Sequence, residues 1–243
     1  MNNLMSVSRT SSLPRSEVVP VAALAETERE QMFLLLTDYF AGVTRERFEV
    51  DLGEKESVIL LRDQAGTIKG FTTMMRLRAV VDGEPVAAFF SGDTIVAREC
   101  WGEMELPRLW TRHVFALRDQ MPERHVYWFL ICSGYKTYRF LPVFFHEFYP
   151  TFRAPTPSFE NRVLDAFGCR KFGRQYCGGR IRFEEPTPLR AGVAELSQAR
   201  LANSDVAFYV RQNPGHARGD ELACLCPLEL ANFTRAGRRA VGR

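Results

Sequence analysis

Residues 67–102 read TIKGFTTMMRLRAVVDGEPVAAFFSGDTIVARECWG, and the fold class turns on them. Asp82-Gly83 is the strongest hairpin signal in the chain, because an Asp-Gly pair readily adopts the two positive-φ positions of a tight turn. The runs on either side, Thr67 to Val81 and Val86 to Val96, are apolar and strand-like, so they predict two long antiparallel strands. Upstream, Asp63-Gln64-Ala65-Gly66 has turn chemistry and follows the short apolar run Val58 to Leu61, which adds a third strand. Past Val96 the period changes. Leu106, Leu109, Trp110, His113, Val114 and Leu117 recur at helical spacing until Pro122 stops them.

The flanks follow the same logic. Met32, Leu35, Leu36, Tyr39 and Phe40 form a helical stripe between Leu24 and Phe40, with Glu26, Glu28 and Glu30 in the first turns where the helix dipole favours acids. Gly42 ends that helix and Thr44 caps a second, short one. Val126 to Cys132 is nearly all apolar, which predicts a strand buried on both faces. The aromatic segment from Ser133 to Tyr149 predicts a helix with a kink or restart at Pro142. Ser158 opens a further helix, Tyr176 to Phe183 a strand, Ser204 to Gln212 a helix and Glu221 to Cys226 a last strand. The organisation expected is a flexible N-terminal tail (1–22), one α/β domain (23–230) and a basic C-terminal tail (231–243).

With 243 residues, 46% hydrophobic and 25% charged, the chain has the composition of a globular protein, which excludes disordered and collagen-like classes. Arg76, Arg78, Asp93, Lys136 and Arg139 interrupt the apolar stretches, so no membrane span is expected. Met1 to Pro20 lacks the apolar core of a secretory signal, and the chain reads as cytoplasmic. The six cysteines have no paired CxxC spacing, several sit in apolar runs where they read as core thiols, and the compartment reads as reducing. Cys224 and Cys226 alternate along a strand, and a metal shared with His216 would need a second ligand pair that the sequence lacks; no metal is expected. A net charge of +3, with lysine only at positions 55, 69, 136 and 171, argues against a nucleic-acid partner.

The order helix, helix, three antiparallel strands, helix, buried strand, helix and terminal strands, from about Leu24 to Glu184, resembles the GNAT acyltransferase superfamily. The stretch Gly92 to Gly102, a strand ending in Val96, a short turn and a glycine before a helix, is similar to that family's coenzyme-binding turn. The resemblance is to a divergent member. It implies an α/β fold with a mixed, mostly antiparallel sheet flanked by helices, and transfer of an acyl group from a thioester to a small-molecule amine. Acyl-coenzyme A or an acyl carrier protein would be the cosubstrate, with no tightly bound cofactor.

On the resemblance, Val96, Arg98, Trp101 and Gly102 stand where the coenzyme is held. The family's turn reads Gln/Arg-x-x-Gly-x-Gly/Ala, and this chain departs from it. With Gly102 on the variable glycine, Trp101 takes the Gln/Arg position, and Met104 and Leu106 replace the two key glycines. With Arg98 as the first residue, the first glycine falls on Trp101. Glu103 and Glu105 would also repel a phosphate at the helix start.

Asp93 is the one acid inside the apolar run Phe89 to Val96. A desolvated carboxylate there suits a general base toward an amine; Ser91-Gly92-Asp93 equally reads as a bulge bonding its own backbone, and both readings stay open. After the buried strand, Ser133 stands where the family carries an asparagine, and Phe144 or Phe145 where it carries the tyrosine that protonates the leaving thiolate. Tyr138 is the substitute acid candidate, or else a packing residue. His113 and His146 complete the proton carriers. The aromatics Phe140, Phe144, Phe145, Phe148 and Tyr149 would suit a longer acyl chain, as in the superfamily's acyl-homoserine lactone synthase branch, and Arg108, Arg112 and Arg118 an acidic carrier. Either the segment Ser204 to Cys226 or an acyl chain must cover the aromatics that cannot face the sheet. The rival function is a catalytically degenerate GNAT-fold binding or regulatory module.

Overall fold

The computed structural model describes residues 15–240. In chain order the elements are β1 (Arg15–Pro20), α1 (Glu26–Thr37), α2 (Arg45–Gly53), β2 (Ser57–Arg62), β3 (Ile68–Val81), β4 (Glu84–Val96), α3 (Glu105–Arg118) and β5 (His125–Cys132). There follow α4 (Tyr135–Tyr138), α5 (Phe140–Phe144), α6 (Ser158–Phe172), β6 (Tyr176–Cys177), β7 (Arg180–Ile181), α7 (Gln198–Leu201), α8 (Ser204–Gln212), β8 (Glu221–Pro227) and α9 (Arg235–Ala240).

The strands form one sheet in the order β1-β2-β3-β4-β5-β8-β7-β6. Its β3-β4 hairpin closes on Asp82 and Gly83, both at positive φ (54° and 84°), the pair whose backbone twist matches that of the strands. Among the described strands, β4 and β5 are the one parallel pair, joined through α3; the others pair antiparallel. The sheet is thus mixed, mostly antiparallel and flanked by helices.

Alternation along the strands divides the core. Ile59, Leu61, Ala87 and Phe89 face α3, α4, α5 and α8. Val58, Leu60 and Phe71 face α1 and α2, while Ala88, Phe90 and Phe129 face α6. No helix among the described residues is long and apolar enough to cross a membrane.

Three expectations are corrected here. Residues 15–20 are not tail: β1 pairs with β2 along its whole length, from Arg15 opposite Arg62 to Pro20 opposite Ser57. Backbone pairing at a sheet edge asks for no apolar pattern, so Arg-Ser-Glu-Val-Val-Pro gave no signal. Residues 1–14 and 241–243 lie outside the described residues. Arg235 to Ala240, read as basic tail, forms α9, which packs on α5 through Gly237 against the Phe144 backbone. The aromatic segment is two short helices that part at Arg139, and Pro142 lies inside the second rather than at the break. After α5 the chain turns extended, and Phe145 bridges to Phe233 and Tyr149 to Leu225, so the C-terminal part of the chain covers much of it.

One irregularity positions the site. Thr72 pairs with Thr94 and Met74 with Ser91, so Gly92 and Asp93 together oppose Thr73 alone. This bulge falls where β4 leaves β5, whose last paired residues are Ser91 and Leu130. A Cβ on Gly92 would lie 2.6 Å from Thr73 Oγ1 and 2.8 Å from Lys55 Cε. Gly92→Val should therefore destabilise by about 1–3 kcal/mol, the usual range for overpacking, read from the urea midpoint. An unchanged midpoint would mean that the bulge has room to yield.

Candidate active site

Where β4 and β5 part, a cleft of about 990 Å³ opens through the sheet. Asp93, Ser133 and Glu221 line it, with α1 and α2 on one side and α3, α5 and α9 on the other.

Asp93 is half-buried in the bulge. Burial raises its carboxyl from 3.8 to about 7; the charge of Asp51 adds to this, and Lys55 and Lys171 oppose it. Those lysines are tied down. The Lys55 side chain is fully buried, and its Nζ donates to the Asp51 carbonyl at 2.9 Å and to Asp51 Oδ2 at 2.5 Å. Lys171 Nζ pairs with Asp51 Oδ1 at 3.6 Å and with Glu54. Without a Cβ on Gly92, Lys55 can pass directly beside the bulge; the bulge expected at Ser91-Gly92-Asp93 is present, and it sets the Asp93 carboxyl in the field of Lys55 and Lys171.

Glu221 was not among the residues read from the sequence as functional. It opens β8, is only 7% exposed, and accepts from Ser133 Oγ at 2.7 Å through Oε1. Its Oε2 is buried and has no hydrogen-bond partner. Burial pushes the carboxyl from 4.5 up to about 8, the charges of Asp93 and Asp51 push the same way, and the Ser133 bond opposes them. The sequence offered only a weak signal, the acid pair Asp220-Glu221 leading the apolar run Leu-Ala-Cys-Leu-Cys, whereas Asp93 stands inside its run.

The coenzyme positions come together at the cleft mouth. Trp101 is 46% exposed and anchored by its Nε1, which donates to the Val96 carbonyl at 2.8 Å. Lys136 Nζ sits 4.0 Å from its ring centroid, and the Arg98 guanidinium 5.7 Å from it. Desolvation lowers the pKa of Lys136, and the nearby charges of Arg200 and Arg98 lower it further. Gly102 lies beside them at φ 101°. The start of α3, by contrast, has Glu105 in its first turn and no side-chain cap at Met104.

Inside the mouth, on the α3 side, the walls are apolar. Trp110 and Trp128 stack with ring centroids 4.7 Å apart, and both indole N–H groups donate to Ser91 Oγ, at 3.1 and 3.0 Å. Their polar edges are therefore spent on the sheet. Phe140, Phe144 and Phe145 continue this wall.

Tyr138 is not part of the cleft. Its side chain is fully buried against Phe148, Phe208 and Tyr209, its hydroxyl donates to the Pro150 carbonyl at 2.9 Å, and burial pushes its pKa further up. Its surroundings are those of the packing alternative, and the hydroxyl is engaged outside the cleft lining. His113, on α3, has its pKa lowered by burial and by Arg76, and lies outside the cleft lining, as does the exposed His146. Cys224 and Cys226 are buried core thiols, with Cys224 Sγ 3.9 Å from Cys132 Sγ.

No protein-family model matches the chain, and no curated protein does. Among solved structures it is similar to an Enterococcus faecalis V583 protein described as a probable N-acyltransferase, at 16% identity and TM-score 0.40, over 51% of this chain and 31% of that one. A GNAT family N-acetyltransferase from Escherichia coli in complex with coenzyme A is similar at 15% identity and TM-score 0.38, over 54% and 70%. A GCN5-related N-acetyltransferase from Kribbella flavida is similar at 14% identity and TM-score 0.40, over 56% and 34%. The likeness spans about a third of the length of the Enterococcus and Kribbella chains.

The two raised carboxyls have a measurable consequence. The unfolded chain releases the Asp93 proton near 3.8 and the folded chain near 7; for Glu221 the values are 4.5 and about 8. Between them the folded state holds more protons, so raising the pH favours unfolding. His113, with its lowered pKa, gives the opposite slope below 6.5 in wild type and variant alike. Between about pH 5 and pH 8 the melting temperature of Asp93→Asn/Glu221→Gln should therefore rise relative to wild type. Parallel curves would place both carboxyls in ordinary solvent.

Proposed function

We propose that this chain is an N-acyltransferase that moves an acyl group from a thioester to an amine. The observation that carries this is Asp93, a carboxyl raised to about 7 in a cleft opened by two diverging parallel strands. A base of that pKa is ionised in useful amount near neutrality and strong enough to take a proton from an attacking amine.

The two sides of the cleft suit two substrates. On the α2 side, Asp93 with Asp51 and Glu54, the last two paired to Lys55 and Lys171, makes a polar wall that suits an amine acceptor. On the α3 side, the aromatic wall with its indole N–H groups already engaged suits the alkyl part of an acyl chain, with nothing polar for that chain to strand.

The donor's phosphates fit poorly at the start of α3, where Met104 and Leu106 stand in place of the glycines and Glu103 and Glu105 add negative charge. Arg98 and Lys136 over the Trp101 ring, with the charge of Arg200 near Lys136, offer a different anion seat at the mouth. That seat suits the phosphates of an acyl-coenzyme A or the phosphopantetheine arm of an acyl carrier protein. The departure from the phosphate turn also supports a second reading, a module that binds a thioester without turning it over.

The test offers acetyl-coenzyme A, decanoyl-coenzyme A and decanoyl-acyl carrier protein to a panel of primary amines, and follows thiol release. Decanoyl donors should outrun acetyl-coenzyme A, and turnover should rise with pH around a midpoint near 7. Asp93→Asn should lose roughly 10²–10⁴-fold in turnover while remaining folded. Lys136→Glu should raise the dissociation constant of the donor in calorimetry and spare that of a free amine. Tight donor binding with no turnover for any amine would favour the binding module.

A further inference from the structure

Acyl transfer needs a second proton carrier. The amine nitrogen loses a proton as its bond to the thioester carbon forms, and the sulfur must gain one as the carbon–sulfur bond breaks. Asp93 can serve the nitrogen; Tyr138, the candidate for the sulfur, is held by the Pro150 carbonyl outside the cleft. Of the remaining cleft groups, Cys100 lies near the mouth with its thiol pKa raised by burial, and Tyr39 is engaged near Arg98.

From the geometry we infer that Glu221 is the acid that protonates the leaving sulfur, held in place by Ser133. This rests on the acyl-transfer reading of the cleft. Glu221 heads β8 directly across from Ser133, which follows β5, the strand that β4 leaves at the bulge carrying Asp93. The hydroxyl of Ser133 fixes Oε1 at 2.7 Å, which leaves Oε2 as the atom free to carry and give a proton. Oε2 is buried and has no protein partner, the condition of a group whose partner arrives with the substrate. Burial and the charges of Asp93 and Asp51 push this carboxyl up, which favours its protonated form near neutrality.

The proton count closes. At the start Asp93 is a carboxylate and Glu221 a carboxylic acid. The amine attacks, its proton goes to Asp93, and the nitrogen–carbon bond forms. The intermediate collapses, the carbon–sulfur electron pair moves to sulfur, and the proton on Glu221 Oε2 converts the thiolate into a thiol. Amide and thiol leave behind a protonated Asp93 and an ionised Glu221, and return of one proton from the first to the second restores the starting state.

A test that separates this acid from the base uses hydroxylamine, which is uncharged at neutral pH and attacks a thioester without a base. Decanoyl-coenzyme A is compared with a decanoyl nitrothiophenyl thioester, whose thiolate leaves without being protonated, and decanoyl hydroxamate is measured by mass spectrometry. With decanoyl-coenzyme A, Glu221→Gln should lose roughly 10²–10³-fold, and Asp93→Asn much less. With the nitrothiophenyl donor, Glu221→Gln should recover to near the wild-type rate.

Ser133→Ala, which leaves the carboxyl in place, should show a smaller loss with the same donor dependence. Equal loss by Glu221→Gln on both donors would assign it a structural role, and no loss on either would remove it from the chemistry; each result overturns the inference and leaves the acyl-transfer reading standing. If the wild type forms no hydroxamate from either donor, that reading falls and the inference falls with it.

Discussion

Two residues of β4 standing against one of β3 is the constraint from which the cleft follows. Gly92 and Asp93 share the place opposite Thr73, and the strand bends just where its pairing with β5 stops. Without that bend the parallel pair would continue, and the backbone of β5 would fill the space the cleft now occupies. The bulge requires glycine, because Lys55 and Thr73 occupy the volume of any side chain there. Lys55 in turn requires Asp51 on α2, since a buried ammonium without a counter-charge is costly. The site's geometry and its electrostatics therefore share one small set of residues.

Burial acts on this set in opposite senses. It raises Asp93 and Glu221 together; the charge of Asp51 pushes both the same way, and the charge of Asp93 adds to the rise at Glu221. Lys55 and Lys171 reach Asp93, whereas Glu221 has only the Ser133 hydroxyl to offset its desolvation. The two carboxyls thus share one cause of their rise and differ in what opposes it: fixed cations at Asp93, a neutral hydroxyl at Glu221.

Much of the fold was legible because short-range chemistry wrote it. Asp82-Gly83 permits few backbone shapes, so the β3-β4 hairpin could be read directly, and the helical stripe of α3 and the all-apolar β5 were equally local signals. Asp93 was legible for the same reason, as a charge where its neighbours demand none. What escaped depends on distant partners. β1 is made by hydrogen bonds to β2 and carries no pattern of its own. Tyr138 has the right residue type and region, and only the rings of α8 and the Pro150 carbonyl determine that it points away. Glu221 lies 88 positions from the serine that gives it meaning, and a reading that moves along the chain takes it for the polar end of a strand.

The order β5-β8-β7-β6 also has a consequence for synthesis. β5 is complete at Cys132, yet the strand that pairs with its outer edge begins at Glu221, after β6 and β7 have already been made. At the usual pace of translation, about 5–20 residues per second, the emerging chain carries an unpaired apolar strand edge for something like ten seconds. An edge of that kind is a template for pairing with other chains. Birth on the ribosome, rather than life as a finished molecule, is thus the interval in which this protein is most open to aggregation, and in which a chaperone would have most to protect.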